Sequence, residues 1–510
     1  MALILEAYMS GGMMSVGRSI AKQILLGGLT QFLVSLRGLI IMPIIVKTAG
    51  DSVFGAYVLL SSIVVFLGGI SSFGTNYTFR RELPATDKGS QRGALLMPPL
   101  TFRIFSTAAF ATVLYLVSPA FFALLGESIP FSPGYLVLWL LGLTLQEKAT
   151  DYYRYTSRFG IFNLLTVGQI YIHIGATVGV VLWWHDLSLD TLLLLQGSSL
   201  LVLSLPTLVL GVFRETGLSW PRFHWPTFWA DARVGLPLTG EFVVDFLVAF
   251  GDRYLIGLFL SLAAVGQYQS SYALAGLLAF FPKVLATVLP PPLCRLWDKK
   301  KPQQAEQLVS HALHLFLVLA IPFTAGALVV GPSVVAALTM PEMALAGRWA
   351  VALIALGMVF YGIVILLSSV AFVTRQTSVI FKANLIALAG NVALNLAILP
   401  FFPNVTVPAA VSVVAYGTAF AYALVKVRKH FRISFHWLSL VRSLLATLVM
   451  SASLVWSGYT PGTVGSTEIA VLALTVGAAI SGYFAIFVMI GGLPAADRAL
   501  LASLLRRQPE

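Results

Sequence analysis

Apolar runs long enough to cross a bilayer recur along the whole chain. A spanning helix needs about 20 apolar residues, and fourteen such runs are legible, near 23–46, 54–76, 97–118, 131–147, 160–184, 190–213, 234–258, 266–290, 311–332, 347–373, 378–400, 405–425, 440–458 and 467–492. Polar connections between them are short. The pattern predicts an all-α polytopic membrane protein with about 14 transmembrane helices.

Charge then tests the count. Of the 32 lysines and arginines, 26 fall in segments of one side if the N-terminus is cytoplasmic, two (Lys47 and Arg348) fall on the other side, and Arg37, Arg103, Arg253 and Lys283 fall within spans. That bias obeys the positive-inside rule with no inverted loop. A missed or invented helix would flip every later loop, so both termini are expected in the cytoplasm. The same distribution accounts for a net charge of +12 without a nucleic-acid partner.

Composition agrees, with 58% hydrophobic and 10% charged residues and a mean hydropathy of +0.89, against about 25% charged residues in soluble domains. The one cysteine, Cys294, excludes an intramolecular disulfide and a thiolate zinc cluster. The opening "MALILEAYM" has neither the basic start nor the cleavage site of a signal peptide, and is expected to be retained. The non-cytoplasmic connections "SPAFFALLGESIPFSPG", "WHDLSL" and "FFPNVTVP" contain no pair of carboxylates with a histidine and no glycine-rich phosphate loop, and no cytoplasmic loop resembles a Walker motif. Neither an enzyme nor a resident cofactor or metal is indicated, and any work is expected between helices.

Two stretches repeat. "SLRGLIIMPIIVKTAGDSVFGAYVLLSS" and "FGDRYLIGLFLSLAAVGQYQSSYALAG" each carry an intramembrane arginine, Arg37 and Arg253, then an apolar run, a turn and a helix opening in Gly-x-Tyr. These are Gly55 and Tyr57, and Gly266 and Tyr268. The arginines lie six helices apart, so the repeat is parallel. The expected division is an N-terminal lobe at 1–220 (helices 1–6), a C-terminal lobe at 221–430 (helices 7–12) and an appended helix pair with a cytoplasmic tail at 431–510. The tryptophan-rich linker from Arg214 to Arg233 suits the cytoplasmic interface.

The series "GLPLTG", "GDRYLIGLFLS" and "VGQYQSSYALAG", with "IIMPIIVKTAGDSVFGAYVLLSS", resembles the signatures of the polysaccharide exporter branch of the MATE-like (MOP) flippase superfamily, the O-antigen flippase or Wzx-like proteins. The arginine cluster of the lipid II flippase branch is not evident in the first two helices, which makes a peptidoglycan precursor the less favoured cargo. The resemblance implies a multi-pass protein of the bacterial inner membrane. It would move an undecaprenyl-diphosphate-linked oligosaccharide from the cytoplasmic to the periplasmic leaflet by alternating access, for O-antigen, capsule or exopolysaccharide synthesis. Membrane lipids, a glycan polymerase and assembly proteins are the partners it implies.

Mid-membrane charges cost roughly 2.5–3.5 kcal/mol each on insertion scales, so each needs a partner or a wet surface. Arg37, Arg253, Lys283 and Arg103 are candidates to line a cavity and neutralise a diphosphate, because guanidinium groups grip phosphate oxygens bidentately. Structural ion pairing, or snorkelling for Lys283 and Arg103, is the alternative. Glu241, Asp245 and Asp252 fall on one acidic stripe of the seventh helix and are candidates to couple transport to a proton or sodium gradient. Neighbours i and i+1 do not face each other on a helix, so Asp252 and Arg253 are expected to answer to different helices.

Lower in rank stand His173, four residues from Gln169, and the asparagines Asn384, Asn391 and Asn395, whose spacing also suits helix packing. The tyrosines of "DYYRYTSRF" read as an interfacial belt able to stack on sugars. The competing functions are an ion-coupled multidrug or metabolite antiporter of the same fold and, less favoured, a membrane-bound glycan polymerase or ligase.

Overall fold

The computed structural model describes residues 14–75, 77–86, 89–125, 129–217, 225–456 and 466–492. The N-terminal stretch at 1–9, the linker at 218–224 and the tail bearing Arg498, Arg506 and Arg507 lie outside the described residues. Among the described residues the backbone forms helices and turns, and no strand. That is what hydrocarbon demands, since a spanning segment must satisfy its own backbone polar groups.

Thirteen helices of the described residues are long and apolar enough to cross a membrane. They are α1 (Gly27–Ala49), α2 (Asp51–Ile70), α3 (Gln91–Phe121), α5 (Phe159–Trp184), α6 (Leu189–Thr216), α7 (Phe228–Phe259), α8 (Leu262–Val288), α9 (Pro302–Val329), α10 (Ala350–Val373), α11 (Thr377–Ile398), α12 (Thr406–Val427), α13 (Trp437–Trp456) and α14 (Ala470–Met489). The fourth predicted span is also a helix, α4 (Pro133–Tyr155), 23 residues long. It falls short in apolarity because its second half carries Gln146, Glu147, Lys148 and Asp151. Lys148, expected in a loop, is instead fully buried within α4 and lies over the Phe79 ring.

Sequence dictates the breaks. α1 turns into α2 through one residue, Gly50, at φ 89, a conformation that a side chain disfavours. Pro206 cannot supply an amide to the ladder, and α6 relaxes after it into a π-helical turn at Thr207–Phe213. A 3-10 turn at Gly276–Ala279, just before Pro282, interrupts α8. Trp183 and Trp184 at the end of α5, and Trp437 and Trp456 at the two ends of α13, are exposed where interfacial tryptophans belong.

The chain groups into two compact units, Leu29–Gln269 and Met1–Gly28 with Ser270–Glu510. The division falls within α8, beyond the linker, and α7 groups with the preceding helices because it packs along α2. In the first unit α2 packs against α4, α6 and α7, and α4 lies against α3, α5 and α6. Gly142 and Gly197 let α4 and α6 approach, since a Cβ on either would sit 3.0 Å from backbone of the other helix. In the second unit α10 packs on α9 and α12. α13 and α14 dock on α9 through Val318, Ala446, Met450, Tyr483 and Phe487. The Tyr483 hydroxyl donates to the Val318 carbonyl at 2.7 Å, which gives that apolar contact a fixed register.

Candidate functional site

Arg37 lies midway along α1, half-buried, and meets only neutral partners among the described residues. Its Nη2 donates to Gln196 Oε1 at 2.5 Å and to the Tyr57 hydroxyl at 3.3 Å. Tyr57 in turn donates to Gln196 at 3.2 Å and contacts His173 Nε2 at 3.3 Å. Trp139 and His173 stack on the Tyr57 ring, with centroids 5.8 and 6.4 Å away. Side chains of five helices, α1, α2, α4, α5 and α6, thus meet around Tyr57, and two of them, Tyr57 and Gln196, hold the guanidinium. Gln196 and Tyr57 orient it without cancelling its charge, because an amide and a phenol are neutral acceptors.

His173 shares a face of α5 with Gln169 and Thr166, and the latter two reach a cavity of about 560 Å3 in the same unit. Its walls also carry Ser72, Arg80, Gln146 and Glu147. Behind the wall Arg103 is almost wholly buried and donates to Glu147 Oε2 and to the Gly68 carbonyl, both at 2.5 Å. Arg80 pairs with Asp151 at 2.9 Å and with Glu147 at 3.5 Å. Burial opposes the charge on Arg80, but these carboxylates, Asp151 foremost, raise its pKa above the usual value. Glu147 is therefore held between two arginines. Nothing in the one-dimensional pattern singled it out, although Glu147 and Asp151 stand four residues apart on α4.

Arg253 and Asp252 are both buried, at 1% and 3% exposure. Arg253 Nε donates to Gln269 at 2.7 Å, its Nη1 donates to the Ala249 carbonyl at 2.7 Å, and its guanidinium lies 4.8 Å from the Phe250 ring and 5.6 Å from the Tyr268 ring. The Tyr268 hydroxyl donates to Asp252 at 2.7 Å. The two charges were expected to answer to different helices, yet these hydrogen bonds bring both to α8. The reason is one ring. Tyr268 offers its face to the cation and its hydroxyl to the anion, so adjacent residues pointing apart reach one neighbour.

The repeated motifs meet in space. A Cβ on Gly55 would lie 3.1 Å from the Gly266 nitrogen, and one on Gly266 would lie 3.4 Å from the Gly55 nitrogen. Each motif's tyrosine serves its own arginine, Tyr57 by hydrogen bond and Tyr268 by its ring.

Other candidates separate. Lys283, in the second unit, is exposed and has no partner among the described residues. Glu241 and Asp245 are exposed on α7, whereas Asp252 on the same helix is buried. Asn391 donates to Ser412 at 3.3 Å, and Asn395 donates to Asn391, so both serve the α11–α12 contact. Tyr152 and Tyr153, expected at the interface, are buried in a cluster with Phe79, Leu83 and Val212. Nearby, Arg92 and Arg158 converge on Glu215 at 2.8 and 2.6 Å, tying the surrounding segments together.

Comparison with known proteins agrees with this architecture. A model described as lipid II flippase MurJ matches residues 246–475, and one described as polysaccharide biosynthesis protein matches 99–342. No curated protein matches the chain. Among solved structures, the lipid II flippase MurJ in an inward closed conformation superposes with a TM-score of 0.72 at 15% identity, over 92% of this chain and 98% of that one. An inward-facing multidrug resistance MATE family transporter of the MOP superfamily gives 0.60 at 12%, over 90% and 99%. A Vibrio cholerae MATE transporter gives 0.55 at 14%, over 81% and 98%. The protein is a multi-pass membrane protein with the fold shared by the lipid II flippase MurJ and the MATE transporters of the MOP superfamily.

Proposed function

We propose that this chain is a flippase that moves an undecaprenyl-diphosphate-linked oligosaccharide from the cytoplasmic to the periplasmic leaflet of a bacterial inner membrane, for the synthesis of a surface polysaccharide. The carrying observation is Arg37, a mid-membrane cation held by Gln196 and Tyr57 and met by no carboxylate among the described residues. Its charge remains available to an anionic ligand, and a guanidinium fork suits a diphosphate. Lys283, exposed and without a partner among the described residues, is assigned the same work in the second unit. An apolar cavity of about 400 Å3, lined in that unit by Phe281, Phe323, Met450 and Phe484 among others, suits a polyprenyl chain. The matches to the lipid II flippase and polysaccharide biosynthesis models support a lipid-linked glycan as cargo. Transport by rearrangement needs no catalytic residue of the chain. A glycan polymerase and assembly proteins are its partners in this reading.

A strain deleted for the gene is expected to accumulate the lipid-linked glycan on the cytoplasmic leaflet, and the intact gene to restore export. Accumulation on the periplasmic leaflet would place the defect after translocation and overturn the reading.

The exposed acids Glu241 and Asp245 on α7 favour a second reading, an ion-coupled antiporter. In the flippase these carboxylates take the role of coupling to a proton or sodium gradient. Asp245→Asn is then expected to leave residual translocation that no longer responds when the gradient is collapsed in vesicles. An unchanged gradient response removes the coupling role.

A further inference from the structure

The polar wall of the cavity of about 560 Å3 offers acceptors well in excess of donors. Four hydroxyls line it, and each has spent its one proton on a backbone carbonyl three or four residues back: Ser72 on Gly69 at 3.0 Å, Thr150 on Gln146 at 2.9 Å, Thr166 on Phe162 at 2.8 Å and Thr239 on Gly235 at 3.1 Å. What each oxygen still presents is lone pairs. Gln146 is 6% exposed, and its Nε2 donates to the Leu165 carbonyl at 2.7 Å, which fixes the amide and leaves Oε1 with no partner among the described residues. Gln169 Oε1 on α5 has none either. A buried acceptor left unpaired is costly, and two on one wall are accounted for by a ligand that brings protons to them.

The charges of the wall answer one another. Arg80 turns Nε and Nη2 to Asp151 at 3.2 and 2.9 Å, and Glu147 is held between Arg80 and Arg103. An anion entering here meets lone pairs, and a cation meets a carboxylate already claimed by two guanidinium groups. A neutral group rich in hydroxyls meets an acceptor for the protons it carries. Leu143, Leu238 and Phe242 supply apolar surface between the polar groups, which suits the C–H face of a pyranose ring. The volume falls within the range of about 300–1,000 Å3 in which pockets enclose a small molecule.

The cavity is also the neighbour of the anion site. Gln169 stands one turn of α5 from His173, roughly 6 Å at a rise of 1.5 Å per residue, and His173 contacts the Tyr57 hydroxyl that accepts from Arg37. A sugar bonded to a diphosphate has to lie beside it. We propose that this cavity receives the uncharged sugar joined directly to the diphosphate and selects it by its hydroxyl protons, while Arg37 holds the phosphate oxygens. The assignment rests on the flippase reading and narrows it to a glycan whose first sugar is neutral, a hexose or an N-acetylhexosamine and not a uronic acid.

The test reads occupancy of the cavity. Thr166→Cys in a Cys294→Ser chain is labelled with a small maleimide in membranes of the native strain, with and without the transferase that places the first sugar on the carrier. Labelling is expected to be slower where the glycan is assembled, on the order of tenfold, the worth of one or two net hydrogen bonds. Equal rates in the two membranes overturn the subsite, whereas the flippase reading is judged separately, by the leaflet on which glycan accumulates in the deletion strain. In the reporter chain Gln169→Leu is expected to abolish the protection, and Gln169→Glu, which keeps an acceptor, to retain it. Protection undiminished by Gln169→Leu overturns selection by hydroxyl protons. In nanodiscs, undecaprenyl diphosphate without a sugar and the organic cation tetraphenylphosphonium are both expected to leave labelling unchanged. Protection by the first puts the diphosphate in this cavity, protection by the second marks a cation site, and either overturns the assignment. Where Thr166→Cys fails to fold, Thr150→Cys on α4 serves as the reporter.

Discussion

Arg37→Ala is expected to abolish export of the surface glycan while the protein remains in the membrane at near-normal abundance. The two halves of that expectation have separate causes. Arg37 bonds to Gln196 and Tyr57, both neutral, so its removal strands no buried charge and the fold loses little. A hydrogen bond to a charged group contributes about 1.5–3 kcal/mol, and a guanidinium makes two to a diphosphate, which places the loss at about a hundredfold or more. Arg37→Lys keeps the charge and loses the fork, so it is expected to fall between. Surface glycan by immunoblot, set against membrane abundance, separates these outcomes. Full export by Arg37→Ala would remove the role assigned to it.

Glu147→Ala carries the second large effect, and here the fold suffers. Arg103 is about 1% exposed and has Glu147 as its close counter-charge at 2.5 Å. Removing one partner of a buried pair typically costs about 3–5 kcal/mol, a large share of the roughly 5–15 kcal/mol by which proteins are stable. Lower membrane abundance and a lower unfolding temperature in detergent are the expected readouts. The paired change Arg103→Met with Glu147→Leu removes both charges and is expected to recover most of the loss. Its export then reports whether the carboxylate on the cavity wall also serves transport. A Glu147→Ala protein as stable as its parent would mean that water, not Glu147, compensates Arg103.

How much was legible in the sequence differs by kind of residue. Arg37 stood out because a charge interrupts an apolar run, and such an interruption is visible in one dimension. Gln196 and Tyr57 did not stand out, because neutral polar residues are common in spans and only convergence makes a network of them. Arg253 looked equivalent to Arg37 in the repeat, yet it is packed between Phe250 and Tyr268 and bonded to Gln269, whereas Arg37 stays half-buried. The repeat is local in sequence. The surroundings of each copy are contributed by different helices.

By itself, the sequence determined that the chain spans a membrane many times, where nearly all its helices lie, and which charges had to be accounted for. It could do so because hydrocarbon imposes one solution on the backbone, and helix length follows from bilayer thickness. α4 escaped the apolarity rule because its polar half is sheltered by neighbouring helices, with Lys148 and Asp151 both buried. Tertiary structure alone decided that Glu147 is held between Arg80 and Arg103, that Tyr268 serves Asp252 and Arg253 at once, and that Gly55 and Gly74 meet Gly266 and Gly235. Each of those is a contact between segments distant along the chain or, for Tyr268, a division of work between the face of one ring and its hydroxyl. Hydrophobic periodicity reports only which face of a helix avoids water, not which neighbour that face will meet.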